Sequence, residues 1–272
     1  MWLIVWIALF VLAPLAPAPA APPAQAQAQA AASSKIWVGR YGEFEEFIRS
    51  AKIERIKDID TGVTKPRHAY FAPGGLAGGA VLKDLPPGRS QGYWESYKSE
   101  IAAYKVDRLI GLDMVPPTVE RNVEGHDVAA QLWAENMRTF GEIKQEAPPN
   151  GLKWIYQINR QKVFDNLINN IDDNAGNILV DPQWNVILVD HSRCFTASEK
   201  MVFPLTQVDR TLFDKLKALD KATLMKEIGA LVPPGSSIDS MLKRRDIIVA
   251  TFEKIAKEKG EAAAFTSYTP PM

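Results

Sequence analysis

The chain has 272 residues, with 32 Lys and Arg against 32 Asp and Glu and a formal net charge of zero. That length allows one large domain or two small lobes with a sizeable core, and the charge balance excludes a strongly basic nucleic-acid-binding surface. The single cysteine, Cys194, excludes an internal disulfide. It follows an apolar strand and is expected to be buried as a small hydrophobe rather than used as a nucleophile.

Residues 1–32 are set apart from the fold. Trp2 to Leu15 is an apolar run, too short for a comfortable span of a bilayer, which takes about 20 residues. An Ala/Pro/Gln tract follows, with overlapping Ala-Gln-Ala triplets from Ala24 to Ala30. This pattern suits a signal peptide with a linker, and export to the periplasm or beyond. A retained N-terminal anchor, with the domain outside the cytoplasm, is the alternative and the only expected route to a membrane. No Lys or Arg precedes the apolar run, an atypical feature of a signal.

From Tyr41 to Ile56, apolar side chains at Phe44, Phe47, Ile48, Ala51 and Ile53 predict an amphipathic helix leading into a strand. A turn-rich segment, Asp60 to Pro66, is followed by strands at His68–Phe71 and Gly79–Lys83 around Ala72-Pro73-Gly74-Gly75, an antiparallel meander. A loop is expected from Asp84 to Gly92, then a helix from Tyr93 to Leu112 closed by Gly111. Val115–Val119 and Val128–Trp133 read as two more strands. The remainder is mainly helical: Trp154–Ile171, then segments near Arg210–Leu219, Ala222–Leu231 and Ile238–Lys259, with a frayed tail from Ala262. The basic trio Lys243-Arg244-Arg245 is read as a solvated helix face. No internal repeat is present.

The segment Lys162–Phe195 concentrates the chemistry. Apolar residues at helical spacing give way to the polar loop Asp172-Asp173-Asn174-Ala175-Gly176-Asn177. Two apolar runs, Ile178–Val180 and Val186–Val189, then flank the turn Asp181–Asn185, a hairpin signal. That hairpin can gather Asp172, Asn177 and Asp190 at one end. The parts match those that phosphoryl transfer from ATP requires, which are mostly positioning and charge neutralisation. Lys83 at a strand end suits a phosphate-holding cation, and Glu100 on the next helix suits the carboxylate that holds it. Asp172 and Asn177 have the Asp-x-x-x-x-Asn spacing of a kinase catalytic loop, and Asp190 stands where a metal-binding Asp is needed.

These residues, with Glu100-Ile101-Ala102-Ala103-Tyr104, Asp107-Arg108-Leu109, Gly111-Leu112, Val115-Pro116-Pro117-Thr118, Phe164-Asp165-Asn166-Leu167-Ile168 and Val189-Asp190-His191, resemble the atypical protein-kinase-like fold. That fold is shared by phosphatidylinositol 3/4-kinases, HipA-type toxin kinases and the secretory-pathway kinases related to Golgi casein kinase. The resemblance implies an α+β, two-lobed architecture. A small antiparallel-sheet N-lobe with one helix spans 35–134, and a mainly helical C-lobe spans 135–272. It implies ATP with Mg2+ or Mn2+, and a hydroxyl acceptor that is a protein, a sugar or a lipid. Asp172 would act on the acceptor, Asn177 and Asp190 would hold the metal, and Lys83 with Glu100 would form the phosphate clamp. Thr61, Gly62, Val63 and Thr64 match the turn over the phosphates. Gln131, Leu132 and Trp133 match the hinge beside adenine. A monomer is expected, with no nucleic-acid partner.

Two departures stand out. The usual Asp-Arg-His or Asp-Arg-Asn start of the loop reads Asp172-Asp173-Asn174, placing an acid where a cation is usual. His-Arg-Asp and Ala-Pro-Glu segments are absent, which excludes a typical eukaryotic protein kinase. The rival reading is an exported pseudokinase, a nucleotide-binding or scaffold module without transfer. Calcium and zinc fare worse: neither register of the Asp172–Asp181 stretch gives an EF-hand, and His68, His126 and His191 lack ligand spacing.

Overall fold

The first described segment, Ser34 to Trp37, lies against the body of the protein. The computed structural model describes residues 34–59, 65–90, 92–235 and 237–268. The Ser34 N–H reaches Asp181 Oδ2 at 3.3 Å, the Lys35 ammonium donates to the Asp113 carbonyl at 2.8 Å, and the Trp37 ring is fully buried. The expected signal or anchor at 1–32 and the expected phosphate-covering turn Thr61–Thr64 lie outside the described residues. Among the described residues no helix is long and apolar enough to cross a membrane.

Helix α1, Tyr41–Ser50, buries Phe44 and Ile48 and leads into β1, Ile53–Asp58, as the apolar spacing predicted. Strands β2 (Arg67–Phe71) and β3 (Gly79–Lys83) follow. Two short strands, β4 (Gly88–Ser90) and β5 (Tyr93–Glu95), pair as a separate hairpin. The sequence suggested a loop running straight into a helix there. The helix instead starts at Tyr97, because the Ser96 side chain accepts the Lys98 N–H and caps it. That helix, α2, is Tyr97–Ile110 and stops at Gly111, whose φ of 63° is the left-handed cap that glycine supplies without a Cβ clash.

β6 (Thr118–Val123) and β7 (His126–Leu132) complete a five-stranded sheet of order β1-β2-β3-β7-β6, antiparallel at every pairing. This sheet and α1 bury one apolar cluster, built on Trp37, Phe44, Ile48, Leu82, Val119 and Leu132. A second, larger cluster joins Val106, Ile110, Phe164, Leu167, Phe195 and Phe252. The inner face of α2 belongs to the second cluster, so this helix ties the sheet to the helical part. The Asp107 carboxylate accepts the N–H groups of Asp113, Met114 and Val115 at 2.8–3.1 Å and so shapes the chain leaving α2. Burial lifts its pKa to about 6, against those hydrogen bonds.

Next come β8 (Arg138–Thr139), the short helix α3 (Phe140–Ile143) and the long helix α4, Gly151–Ile168. The apolar spacing suggested a helix through Ile171. It ends three residues earlier because Asn169 takes φ 54°, its side chain bonding Thr196 Oγ1 and the Lys200 carbonyl. Arg160 of α4 is buried. It pairs with Asp209 and donates to the carbonyls of Gly111 and Leu112, pinning α4 to the end of α2.

The predicted hairpin forms from β9 (Ile178–Val180) and β10 (Val186–Leu188), with β8 as a third strand. Its turn is organised by Asp181, which accepts the N–H groups of Gln183 and Asn185. β11 (Val208–Asp209), α5 (Arg210–Ala218), α6 (Lys221–Ile228), α7 (Ser237–Lys259) and α8 (Glu261–Ala264) follow. Two expectations are corrected here. Arg244 is buried rather than solvated, donating to the carbonyls of Leu167, Thr196 and Ser198. The tail is not frayed at Ala262: β12 (Phe265–Thr266) pairs with β11, and Phe265 packs on Phe213.

Candidate active site

Lys83 ends β3 opposite Ala129 of β7, so its side chain leaves the sheet beside α2. Its ammonium lies 2.6 Å from Glu100 Oε1 and 2.9 Å from Asp190 Oδ1. Lys83 is 6% exposed and Glu100 1%. Both Glu100 oxygens also accept the His191 N–H at 3.0 Å, so one buried carboxylate fixes the cation and the backbone after Asp190 together. Burial disfavours the charge on both groups. For Lys83 the charges of Asp190 and Glu100 outweigh it and hold the ammonium well above the usual lysine range. For Glu100 the Lys83 charge and His191 outweigh it, bringing the carboxyl down to about 2. The clamp is ionised at neutral pH.

Asp190 follows the hairpin in the left-handed region, φ 65°, which Asp tolerates better than most residues. The strand before it is stitched to the predicted loop, the Val189 N–H donating to the Asn177 carbonyl at 3.1 Å. The structure therefore brings Lys83, Glu100, Asn177 and Asp190 to one place from four points in the sequence. Lys83, Asn177 and Asp190 line a cavity of about 780 Å³, as do Gln131, Leu132 and Trp133. Glu100 stands behind Lys83. Within the sheet, the Leu132 N–H already donates to the Pro117 carbonyl and the Trp133 N–H to the Gly79 carbonyl. The segment Ala134–Met137 lines the same cavity. Trp133 stacks on His68 and His68 on Tyr70, each at 3.9 Å between ring centroids.

Asp172 is placed differently. It is not among the residues lining the cavity, and its side chain is 49% exposed. Its Oδ2 accepts from Arg193 Nη1 at 3.0 Å, while its carbonyl accepts from the side chains of Asn174 and Asn177. The anomalous Asp173 turns inward. Gln161 Nε2 donates to Asp173 Oδ2 at 2.8 Å and to Asp165 Oδ2 at 2.6 Å, bridging two acids behind the loop. Burial lifts the Asp165 carboxyl to about 7, helped by the Asp173 charge, and burial lifts Asp173 to about 6. The Asp173 carboxylate faces Gln161 and is not among the residues lining the cavity.

Gln161 and Arg193 were not legible as site residues, because their role depends on contacts across 12 and 21 residues of chain. Cys194 is fully buried, as its place after a strand suggested, and burial pushes its thiol well above the usual range. Among the described residues, no group of three or more His, Cys, Asp or Glu is arranged to hold a metal by itself.

No family model matches the chain, and no curated protein matches it in sequence. Solved structures do match. The Golgi casein kinase aligns over 84% of this chain and 80% of its own, at 13% identity and a TM-score of 0.61. The same kinase with Mn/ADP bound aligns over 85% and 80%, at 13% identity and a TM-score of 0.63. A hydra Fam20, solved with sugar, aligns over 83% of this chain and 92% of its own, at 15% identity and a TM-score of 0.61. The chain has an atypical protein-kinase-like fold. Within that kinase-like fold, the five-stranded sheet with its helices and the helical part bearing β9–β10 stand as the two lobes expected of it.

Proposed function

We propose that the protein is an ATP- and metal-dependent kinase that transfers the γ-phosphoryl group to a hydroxyl acceptor. The observation that carries this reading is the Lys83–Glu100–Asp190 cluster, joined by contacts of 2.6 and 2.9 Å, at the wall of a cavity of about 780 Å³. The likeness to a kinase solved with Mn/ADP supports it. Lys83 binds phosphate oxygens, with Glu100 keeping its ammonium in place. Asp190 and Asn177 are the residues that would hold Mg2+ or Mn2+. These two side chains are fewer than the oxygen ligands such hard cations take, so nucleotide or water would have to supply the rest. When bound, the metal neutralises phosphate charge. Asp172 takes the proton from the acceptor hydroxyl as the new O–P bond forms. The bond from the γ-phosphorus to the ADP oxygen breaks, and ADP leaves with the electron pair.

In this reading 35–134 and 135–272 are the two lobes, the turn Thr61–Thr64 covers the phosphates, and residues 1–32 direct export. The acceptor is a protein, sugar or lipid hydroxyl, met by a monomer without nucleic acid. One observation favours the rival, a nucleotide-binding scaffold without transfer: Asp172 lies outside the cavity wall, paired with Arg193. Catalytic hydrogen bonds often tighten only once substrate is bound, so that placement leaves the kinase reading ahead. The full chain is tested for nucleotide-dependent thermal shift with and without Mn2+ or Mg2+, and for ADP release from ATP. The kinase reading expects a metal-dependent shift and turnover, with turnover lost in Asp190→Ala. A shift without wild-type turnover supports the scaffold. No shift in the wild type removes both.

A further inference from the structure

Resting on the kinase reading above, we infer that Arg193 is the positioning residue for Asp172. Anchored by Glu95, its guanidinium holds the Asp172 carboxylate toward the acceptor hydroxyl. Three observations carry this. First, Arg193 spans two carboxylates. Its Nε donates to Glu95 Oε1 at 2.6 Å and its Nη1 to Asp172 Oδ2 at 3.0 Å. The planar fork of arginine suits two directed bonds at once, whereas lysine offers a point charge.

Second, the anchor is built in and the held group is not. Glu95 is buried, and the Arg193 side chain is 15% exposed against 49% for Asp172. The Tyr93 ring lies against the guanidinium at 5.0 Å. The Ser96 N–H donates to the Ser192 carbonyl at 3.1 Å, tying the β4–β5 hairpin to the residue before Arg193. Arg193 therefore stays in place whether or not Asp172 is bound to it.

Third, the catalytic loop supplies no cation of its own next to Asp172. The following residue is Asp173, and it faces Gln161. The positive charge beside Asp172 comes from the other side of the hairpin, three residues after Asp190. When Asp172 takes the acceptor proton it becomes neutral and its pull on Arg193 weakens. Glu95 then retains the guanidinium for the next turnover.

The test uses the full chain with Mn2+ and ATP, reading ADP release, alongside the melting shift given by Mn2+ and ADP. In Arg193→Ala, ADP release should fall about a hundredfold, the scale of a misplaced catalytic group, while the melting shift is kept. Added guanidinium ion should restore part of the rate, and Arg193→Lys should restore less than the native residue supplies. If Arg193→Ala fails to fold, the Glu95→Gln/Arg193→Gln pair removes both charges together and carries the same expectation. A near-wild-type rate in the folded variant, no recovery with guanidinium, or loss of the nucleotide shift along with the rate overturns the assignment alone. Absence of ADP release from the wild type overturns it together with the kinase reading.

Discussion

Lys83, Glu100 and Asp190 are held by a strand end, a helix and a hairpin end, and two direct contacts of 2.6 and 2.9 Å join the part-exposed Asp190 to the buried Lys83–Glu100 pair. Asp172 and Asn177 instead ride on a loop at the surface, where the amides of Asn174 and Asn177 reach the Asp172 carbonyl, that of Gln161 reaches Asp173, and one guanidinium reaches the Asp172 carboxylate. The clamp is fixed before any ligand arrives. The loop is set by a few polar contacts and has room to adjust to an acceptor. Rigid elements position one half of the site and a loop presents the other, the usual division where a scaffold carries function.

The sharpest way to break that comparison is Lys83→Met. It leaves the Glu100 charge buried without its ammonium, which typically costs 3–5 kcal/mol, about that much loss in urea unfolding being expected here. The nucleotide-dependent melting shift should vanish with it, and Glu100→Gln in the same chain should recover much of the stability. A Lys83→Met protein as stable as wild type would show that the clamp is not the rigid half.

Asp172→Asn should do the reverse. ADP release falls by roughly 10²–10⁴, the range for losing a general base, while unfolding changes by no more than about 1 kcal/mol, as for an exposed ion pair. Stopped-assay kinetics and urea melts on the same preparation check both halves.

The smallest effect is a pH dependence behind the loop. Asp165 and Asp173 have ordinary values of 3.8 and rise on folding to about 7 and about 6, mainly through burial. The folded chain thus holds more protons than the unfolded one between those limits, and stability falls as pH rises from about 4 through 7. Asp107, raised to about 6, acts in the same direction. Glu100 acts oppositely, its contribution being present above 4.5 and lost as pH falls toward 2. Between pH 5 and 7.5 the raised acids act against His68, which burial holds below its usual 6.5, so wild type and Asp173→Asn are melted side by side over that range. Asp173→Asn keeps a partner for Gln161 and should flatten the slope without abolishing it; an unchanged slope would mean that the acid pair does not share the burial that the fold imposes.

The clamp was legible in the sequence because each part carries a local signal. Lys83 ends an apolar strand, Glu100 sits in the first turn of a helix that Gly111 closes, and Asp190 closes a hairpin marked by its Asp181–Asn185 turn. What escaped depends on contacts remote in sequence. A run of three basic residues reads as a wet face, and only packing of α7 on α4 makes Arg244 a buried donor to the Leu167 carbonyl. Asp173 reads as a misplaced charge until Gln161, twelve residues earlier, turns it inward. The β4–β5 hairpin hid in a Pro- and Gly-rich stretch, and with it Glu95.

The docked segment at Ser34 has a practical corollary for handling this protein. The Ser34 N–H meets Asp181 at the turn of the β9–β10 hairpin, whereas Asn177 and Asp190 occupy the hairpin's other end. A bead, a fusion partner or a surface linked ahead of Ser34 therefore grips the hairpin by its blunt tip, leaving the strands as a spacer between the point of attachment and the cavity.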